Sequence, residues 1–360
     1  MERLIVKNFG PLKDIDIKLN KINLFIGENG SGKSVLAKII TIITSLESDT
    51  SKLIKKFDEY NIGFIQKDTE INYYIDNKLY YNLKNKEAKS IVGRRKLDDL
   101  PKDYNSKSLD DMLNTLSNPI RKFITEQNSK YIPAERNLIS LFNKSLTTLI
   151  IGEAPLPKFL LQFSSEFEKA GNKLKELQFL DVKYINGDGL DRHRVYFSDN
   201  SYLPLEFSSS GIQSALPLYL AVKYFAQKHK NIIIEEPEQN LFPKAQADTI
   251  KYIIEQVSND NRVFMMTHSP YVLSTLNNLI YAYIVAKLGD KEKKKVKKLI
   301  NEKEWINPND FSAYYLENGE ARSIKSDIGL INDNEIDDIS EDMGEEFDEL
   351  LEVYRVSKND

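Results

Sequence analysis

A glycine-rich segment near the start of the sequence contains the residue types that bind phosphate groups. Its eight positions are Gly27, Glu28, Asn29, Gly30, Ser31, Gly32, Lys33 and Ser34. At the spacing G-x-x-x-x-G-K-S, backbone N–H groups can approach a polyphosphate, the Lys33 ammonium can reach the outer phosphates, and the Ser34 hydroxyl can ligate Mg²⁺. The segment therefore predicts a loop that binds a nucleotide together with Mg²⁺.

Two adjacent carboxylates, Glu235 and Glu236, follow the apolar run Ile232–Ile234. Phosphoryl transfer depends on positioning and charge stabilisation, so acids at a strand end can serve it in two ways. Glu235 can hold Mg²⁺ through water, and Glu236 can orient and polarise the attacking water. The alternative interpretation is a solvated strand end.

A histidine lies at the end of another apolar run. His268 follows Val263–Met266, and the next two residues, Ser269 and Pro270, are typical of a helix N-cap and first helical position. This places His268 at the sheet edge where open α/β folds bind nucleotides. Its imidazole can hydrogen-bond a γ-phosphate or the attacking water, whereas His193 and His229 are interpreted as structural.

A serine-rich loop precedes the carboxylate strand. Residues 207–213 contain Ser210 and Gly211 and open a helix that we expect over residues 212–228. Hydroxyls and free backbone amides at a helix N-terminus suit a phosphate group. Serine-rich helix caps are common, so the position of this loop before the two acids is what favours a binding role.

Short strands and turns surround these residues. Strands are expected at residues 4–6, 15–19 and 22–26, and hairpins are expected around residues 76–78 and 318–319. The runs Ile232–Ile234 and Val263–Met266 are typical of buried parallel strands. Residues 138–182 read mostly as helix, and a further helical stretch is expected at residues 109–116.

Composition bounds the alternatives. The 360 residues include no cysteine, which excludes disulfides, thiolate zinc sites and cysteine catalysis. Apolar runs stay far short of the ~20 residues of a membrane span, so we expect a cytoplasmic protein without a membrane partner. The net charge is −4, so any DNA contact must come from a local patch such as Lys291–Lys298.

The order of these motifs resembles that of the ABC-type ATPases related to RecF, SMC heads and the OLD family. Within that group the chain is most similar to compact AAA-type ATPases of prokaryotic anti-phage systems. The resemblance rests on residues 26–34, on Ile234–Pro243 with the sequence IEEPEQNLFP, and on Thr267–Pro270 with the sequence THSP. It implies a P-loop, a signature loop, a Walker B strand, a D-loop and a switch histidine, in that order.

The resemblance implies an α/β fold with an ABC-type head, an N-terminal antiparallel β-subdomain, a parallel-sheet core and a helical lobe. Four segments are expected: an N-terminal ATPase lobe at 1–85, a mostly helical insertion at 86–195, a C-terminal ATPase lobe at 196–330, and an acidic amphipathic helix at 331–360. That helix is expected to dock on its own domain or on a partner.

Further site residues come only from the resemblance. Gln66 is the candidate Q-loop glutamine, and Tyr131–Arg136 resembles a strand that ends near the nucleotide in related ATPases. An ion pair is the simpler interpretation of Glu135 and Arg136. The signature departs from L-S-G-G-Q, with Ile212 at the second glycine, and this departure puts fast hydrolysis in doubt.

Four functions compete. The leading hypothesis is an ATP-gated regulatory ATPase that forms a homodimer or higher homo-oligomer, sandwiches two ATPs, and acts on DNA or on a separately encoded effector. A transporter nucleotide-binding subunit is disfavoured by the motif variants, and a nuclease by the lack of an Asp-x-Asp strand after His268. An ATP-binding scaffold with little hydrolysis is compatible with the altered signature.

Overall fold

The fold is seen in a computed structural model. It describes residues 2–45, 50–84, 87–90, 129–142, 156–189, 191–198, 201–226, 231–257, 261–332, 344–351 and 353–355. The helical stretch expected at residues 109–116, the acidic residues 333–343 and His229 lie outside these ranges.

Fifteen strands form two sheets in the described part of the chain. Their bounds are β1 Glu2–Phe9, β2 Leu12–Leu19, β3 Ile22–Gly27, β4 Glu70–Ile75, β5 Lys78–Lys84, β6 Glu87–Ser90, β7 Ser129–Ile132, β8 Glu176–Phe179, β9 Val182–Asn186, β10 His193–Ser198, β11 Ser201–Pro204, β12 Asn231–Glu235, β13 Arg262–Met266, β14 Phe311–Glu317 and β15 Glu320–Ser323. The larger sheet has eleven strands in the order β6-β5-β4-β1-β2-β15-β14-β3-β13-β12-β7. The smaller sheet has the order β11-β10-β9-β8.

The larger sheet combines a parallel and an antiparallel half. Strands β14, β3, β13, β12 and β7 are mutually parallel, whereas β6, β5, β4, β1 and β2 pair antiparallel. Every residue of β3 and of β12 is buried, as expected for strands covered on both faces. The mixed α/β architecture predicted from the sequence is confirmed.

The helices are α1 Lys33–Ile43, α2 Thr50–Glu59, α3 Leu138–Phe142, α4 Lys158–Leu174, α5 Ser210–Ala226, α6 Pro243–Gln256, α7 Pro270–Ala286 and α8 Asp290–Val296. Helix α1 packs on β7, β12 and β13, and α5 packs on β7, β8 and β12. One hydrophobic cluster joins these helices and both sheets into a shared core. Residues 344–351 and 353–355 are also helical, with Phe347 and Leu350 each 61% exposed.

Two expected hairpins are present. Asp76 and Asn77 have φ of 48° and 61°, and Asn318 and Gly319 have φ of 52° and 86°, which is the positive-φ pair of a two-residue hairpin turn. The region 138–182, expected to be mostly helix, contains α3 and α4, but its end is wrong, because α4 ends at Leu174 and a strand pair begins at Glu176. None of the helices that the structure describes is long and apolar enough to cross a membrane.

Candidate nucleotide site

The parallel strands bring the predicted site residues to one edge of the sheet. Strands β3, β13 and β12 run side by side in one direction, so their carboxyl ends lie together. Two hydrogen bonds tie these ends: the Glu236 N–H donates to the Met266 carbonyl (2.8 Å), and the Thr267 N–H donates to the Phe25 carbonyl (3.1 Å). The Walker B acids, the switch histidine and the P-loop therefore share this edge.

The P-loop connects β3 to α1, and two of its positions, Gly27 and Gly32, accept only glycine. A Cβ on Gly27 would collide with the Leu316 carbonyl oxygen of β14, and a Cβ on Gly32 would lie 2.5 Å from a methyl of Leu12. Both glycines also have positive φ, at 148° and 98°. The loop is thus pressed onto β14 and β2, and α1 begins at Lys33.

The Lys33 ammonium lies inside this loop. Its Nζ donates to the carbonyls of Gly27 (2.7 Å) and Glu28 (2.8 Å) and to the Ser31 hydroxyl (3.3 Å). The residue is only 7% exposed, and burial lowers the pKa of Lys33 to about 8, while the carboxylates of Glu236, Glu235 and Glu238 oppose the shift. A phosphate would offer this buried charge a stronger partner than neutral carbonyls.

Glu235 is buried, and one of its carboxylate oxygens lacks a hydrogen-bond donor among the described residues. It is 5% exposed, and its Oε1 has no hydrogen-bond partner among the described residues. Burial raises the pKa of Glu235, and the hydroxyl of Tyr131, the charge of Lys38 and the hydroxyl of Ser34 act against that rise. A buried carboxylate beside a serine hydroxyl fits Mg²⁺, which prefers oxygen ligands.

Glu236 has an unusual backbone. Its φ is 44°, in the left-handed region that non-glycine residues rarely occupy. Its side chain is partly buried and interacts electrostatically with Lys33 and His268. Such strained backbone is often found at functional sites, and here it belongs to the residue proposed to orient water.

The surroundings of His268 favour its neutral imidazole. Burial and the nearby Lys33 charge lower the pKa of His268 below its ordinary value, while the Glu236 carboxylate and the Gly27 backbone oppose the shift. The loop carrying it is held by Glu238, whose Oε1 accepts from the Thr267 hydroxyl (2.6 Å) and the His268 N–H (3.0 Å). The expected N-cap is present, since the Ser269 hydroxyl accepts from the Tyr271 N–H.

The signature residues lie beside the segment that follows the Walker B strand. Ser210 begins α5 and is exposed, and Gly211 lies so close to the D-loop that a Cβ would be 2.9 Å from the Asn240 carbonyl oxygen. Gln66 is exposed in an extended segment, and its N–H donates to the Thr69 hydroxyl (2.9 Å). The roles of Ser210, Gly211 and Gln66 therefore stay predictions.

The sequence did not identify Arg136 as part of the site. Instead of pairing with Glu135, its fully buried guanidinium donates to the backbone carbonyls of Pro133, Ser214, Glu235 and Glu236. The available signal was an arginine just after a buried strand, in the segment Tyr131–Arg136.

A glycine-rich loop between a buried strand and a helix, with acids at the end of a parallel strand two places along the sheet, defines a P-loop ATPase. The chain belongs to the AAA ATPase domain family, whose model matches residues 1–153 and 47–273. The family resemblance inferred from the motifs is thereby confirmed.

Two relatives are named as nucleases. The chain is 25% identical over 318 residues to an OLD nuclease of Thermus scotoductus, covering 75% of this chain and 59% of the relative. It is 26% identical over 341 residues to endonuclease GajA of Bacillus cereus, covering 76% of this chain and 56% of the relative. The chain spans less than two thirds of the length of each of these two relatives.

Two solved structures show more distant likeness. An SMC head domain from Thermotoga maritima has 12% identity and a TM-score of 0.40, covering 90% of this chain and 98% of that one. An ATP-binding cassette of an ABC transporter in its ADP conformation has 16% identity and a TM-score of 0.37, covering 89% and 90%.

Proposed function

We propose that the protein is an ATP-hydrolysing regulatory ATPase that dimerises around ATP and controls a separately encoded effector in an anti-phage or DNA-maintenance complex. The observation that carries the proposal is the meeting of Lys33, Glu235, Glu236 and His268 at one sheet edge. Anion-binding backbone, a buried cation, and acids within electrostatic range are the parts that phosphoryl transfer requires.

Binding would begin at the P-loop. Backbone N–H groups at the start of α1 and the helix dipole favour an anion there. The Lys33 ammonium would exchange the carbonyls of Gly27 and Glu28 for phosphate oxygens. The Ser34 hydroxyl and the Glu235 carboxylate would hold Mg²⁺, which neutralises charge on the phosphates.

Hydrolysis would then depend on Glu236 and His268. The Glu236 carboxylate would accept a hydrogen bond from the attacking water and orient it toward the γ-phosphate. The neutral His268 imidazole can donate one hydrogen bond to a phosphate oxygen without adding a second full cation beside Lys33.

We infer dimerisation from the exposed start of the signature helix and from the resemblance to ABC-type ATPases. Ser210 is exposed at the start of α5, and we assign it and Gly211 to the ATP held by a second copy of the chain. Such an arrangement is two-fold symmetric, and each subunit alone has an incomplete site. ATP would then join two subunits, and its hydrolysis would release them.

The test measures ATP affinity, turnover and mass on the same preparation. We expect ATP binding that requires Mg²⁺, measurable phosphate release, and a monomer-to-dimer shift in light scattering when ATP is added to Glu236→Gln. Binding without phosphate release by the wild-type chain would favour the scaffold alternative. Absence of ATP binding would overturn the proposal.

A second candidate is the ATPase part of a nuclease. The names of the two relatives favour it, and the chain matches only part of each relative's length. Incubation with plasmid DNA and Mg²⁺ or Mn²⁺, with and without ATP, tests cleavage by this chain. Cleavage that is lost in a chelator would support the candidate, and intact DNA under all conditions would leave cutting to a separate effector.

A further inference from the structure

A buried arginine lies between the Walker B strand and the signature helix. Arg136 is in a short 3₁₀ turn, Ala134–Asn137, that directly follows β7, the neighbour of β12 in the sheet. It is the largest side chain among those fully buried in the described residues. A guanidinium this deep is expensive to desolvate unless its N–H groups are satisfied.

The partners of Arg136 are all backbone carbonyls. Nε donates to Ser214 (3.1 Å), Nη1 donates to Pro133 (3.1 Å) and Glu235 (2.7 Å), and Nη2 donates to Glu236 (2.6 Å). Burial lowers the pKa of Arg136 to about 10, and the neighbouring glutamates, Glu238 first, oppose that change. The side chain therefore stays charged at neutral pH.

The bond to Glu236 fixes a strained peptide. With φ of 44°, Glu236 occupies the left-handed region, which L-residues other than glycine rarely adopt. Its N–H is bonded to Met266 and its carbonyl to Arg136, so both sides of the residue are held. Removing the arginine would leave the carbonyl side of this peptide without its cationic donor.

The bond to Ser214 reaches a different element. Ser214 lies one turn into α5, the helix whose first two residues are the signature Ser210 and Gly211. A second contact runs parallel to it, because the Ser214 hydroxyl donates to the Gln239 side chain (3.2 Å). The start of α5 and the segment that follows Glu235 are thus joined by two separate links.

We propose that Arg136 is a positioning residue that holds the Glu236 backbone in its left-handed conformation and couples it to the signature end of α5. The inference rests on the proposed function, in which α5 contacts the ATP of the partner subunit. If that ATP displaces α5, the Arg136 guanidinium would transmit the displacement to the water-orienting Glu236 of the same subunit. The two ATP sites of a dimer would thereby be linked within each chain.

The test compares Arg136→Lys and Arg136→Ala with wild type. Lysine keeps the charge, but all its N–H donors lie on one nitrogen instead of on the three nitrogens of a guanidinium. It therefore cannot span the carbonyls of Ser214 and Glu236 together. We expect turnover to fall at least about tenfold in Arg136→Lys and further in Arg136→Ala, because small misplacements of catalytic groups have effects of this size. The Kd for ATP should stay within about threefold, since Lys33 and the P-loop are untouched.

Hydrogen exchange supplies a readout that does not depend on hydrolysis. Peptides covering residues 210–216 and 235–241 should exchange faster in both variants, and the peptide covering residues 27–36 should be unchanged. The matched control is Arg194→Lys, because Arg194 also donates to backbone carbonyls, those of Asp191 and Asp188, in the smaller sheet. It should alter neither turnover nor exchange at these peptides.

Ser214→Ala is the second variant, for use if loss of the guanidinium prevents folding. It removes the link to Gln239 from a buried serine at small steric change, and it should accelerate exchange in the same two peptides with a smaller loss of turnover. Unchanged exchange at residues 235–241 in Arg136→Lys, or Kd weakened as much as turnover, would overturn the inference. A wild-type chain without turnover would refute the proposed function, while the exchange comparison would still decide the coupling.

Discussion

At the scale of single residues, the site depends on charged groups that are buried before any ligand arrives. Lys33 and Glu235 are 7% and 5% exposed. Burial lowers the pKa of Lys33 and raises that of Glu235, so in both residues it favours the neutral form. Charges that are shielded from water interact strongly with a partner of opposite charge. Binding of a metal–phosphate group would therefore offset the desolvation cost of these charges, which the protein alone offsets only in part.

Lys33→Ala tests the cation. We expect ATP affinity to fall at least about 30-fold, because truncating one member of a buried charge pair costs roughly 2–5 kcal/mol. Isothermal titration measures the affinity, and Lys244→Ala, an exposed lysine paired with Asp248, is the matched control. An affinity equal to wild type would show that the P-loop does not bind the phosphates.

Glu236→Gln tests the water-orienting acid. The substitution keeps the shape of the side chain and removes its charge, so we expect ATP binding to persist and turnover to fall about 10²–10⁴-fold. Phosphate release at saturating ATP measures the effect, with Glu320→Gln at the exposed C-terminal hairpin as control. Turnover within a few-fold of wild type would remove Glu236 from this role.

At the scale of elements, function depends on where helices and strands begin and end. Strand β12 ends at Glu235, α1 begins at Lys33, and α5 begins at Ser210. The first two ends meet within one subunit, whereas the third is exposed beside Asn240. In the proposed mechanism this exposed end of α5 contacts the ATP of a second copy of the chain, which completes the site.

Ser210→Arg tests the exposed end of α5. A long cation at this position should obstruct the partner's ATP and block ATP-dependent dimerisation, while the monomer's own P-loop keeps its affinity. Light scattering with ATP in a Glu236→Gln background measures the dimer, and Ser201→Arg at the exposed start of β11 is the control. Normal dimerisation of the Ser210 variant would refute this interface.

Local patterns made the position of the candidate site predictable from sequence, but not its long-range contacts. The P-loop, the strand before Glu235 and the turn at Asn318 are short segments whose meaning is contained in neighbouring residues. The strands after α4 were missed because Lys175, Leu180 and Asp181 adopt positive φ without the glycine or asparagine that marks such turns. The hydrogen bonds of Arg136 could not be predicted because three of its four acceptors lie 78 to 100 residues away.

At the scale of the whole molecule, the nucleotide edge and the C-terminal helical residues are separate in sequence. All the site residues precede residue 270, whereas residues 344–351 carry Glu345, Glu346, Asp348 and Glu349 together with the exposed Phe347 and Leu350. Acidic side chains repel nucleic-acid phosphates, so this segment is suited to protein rather than to DNA.

Deletion of residues 333–360 tests that assignment. ATP affinity should stay at the wild-type value, while assembly beyond the dimer or association with the effector should be lost. Light scattering and titration measure both on one sample. Phe347→Ser with Leu350→Ser should reproduce the loss, and Glu345→Gln with Glu349→Gln reports the part due to charge alone. A truncated protein with unchanged assembly and biological activity would leave the segment as a solvated appendage.

The position of β14 has a consequence for synthesis of the protein. This strand pairs with β3 in the middle of the sheet, and its Leu316 carbonyl forms the surface beneath Gly27. During synthesis, the P-loop therefore leaves the ribosome long before β14. Until β14 follows, the edge of β3 that pairs with it stays unpaired. A nascent chain would complete the surface beneath its P-loop only after Leu316 has left the exit tunnel, so we expect products that terminate before β14 to bind ATP more weakly than the full-length chain.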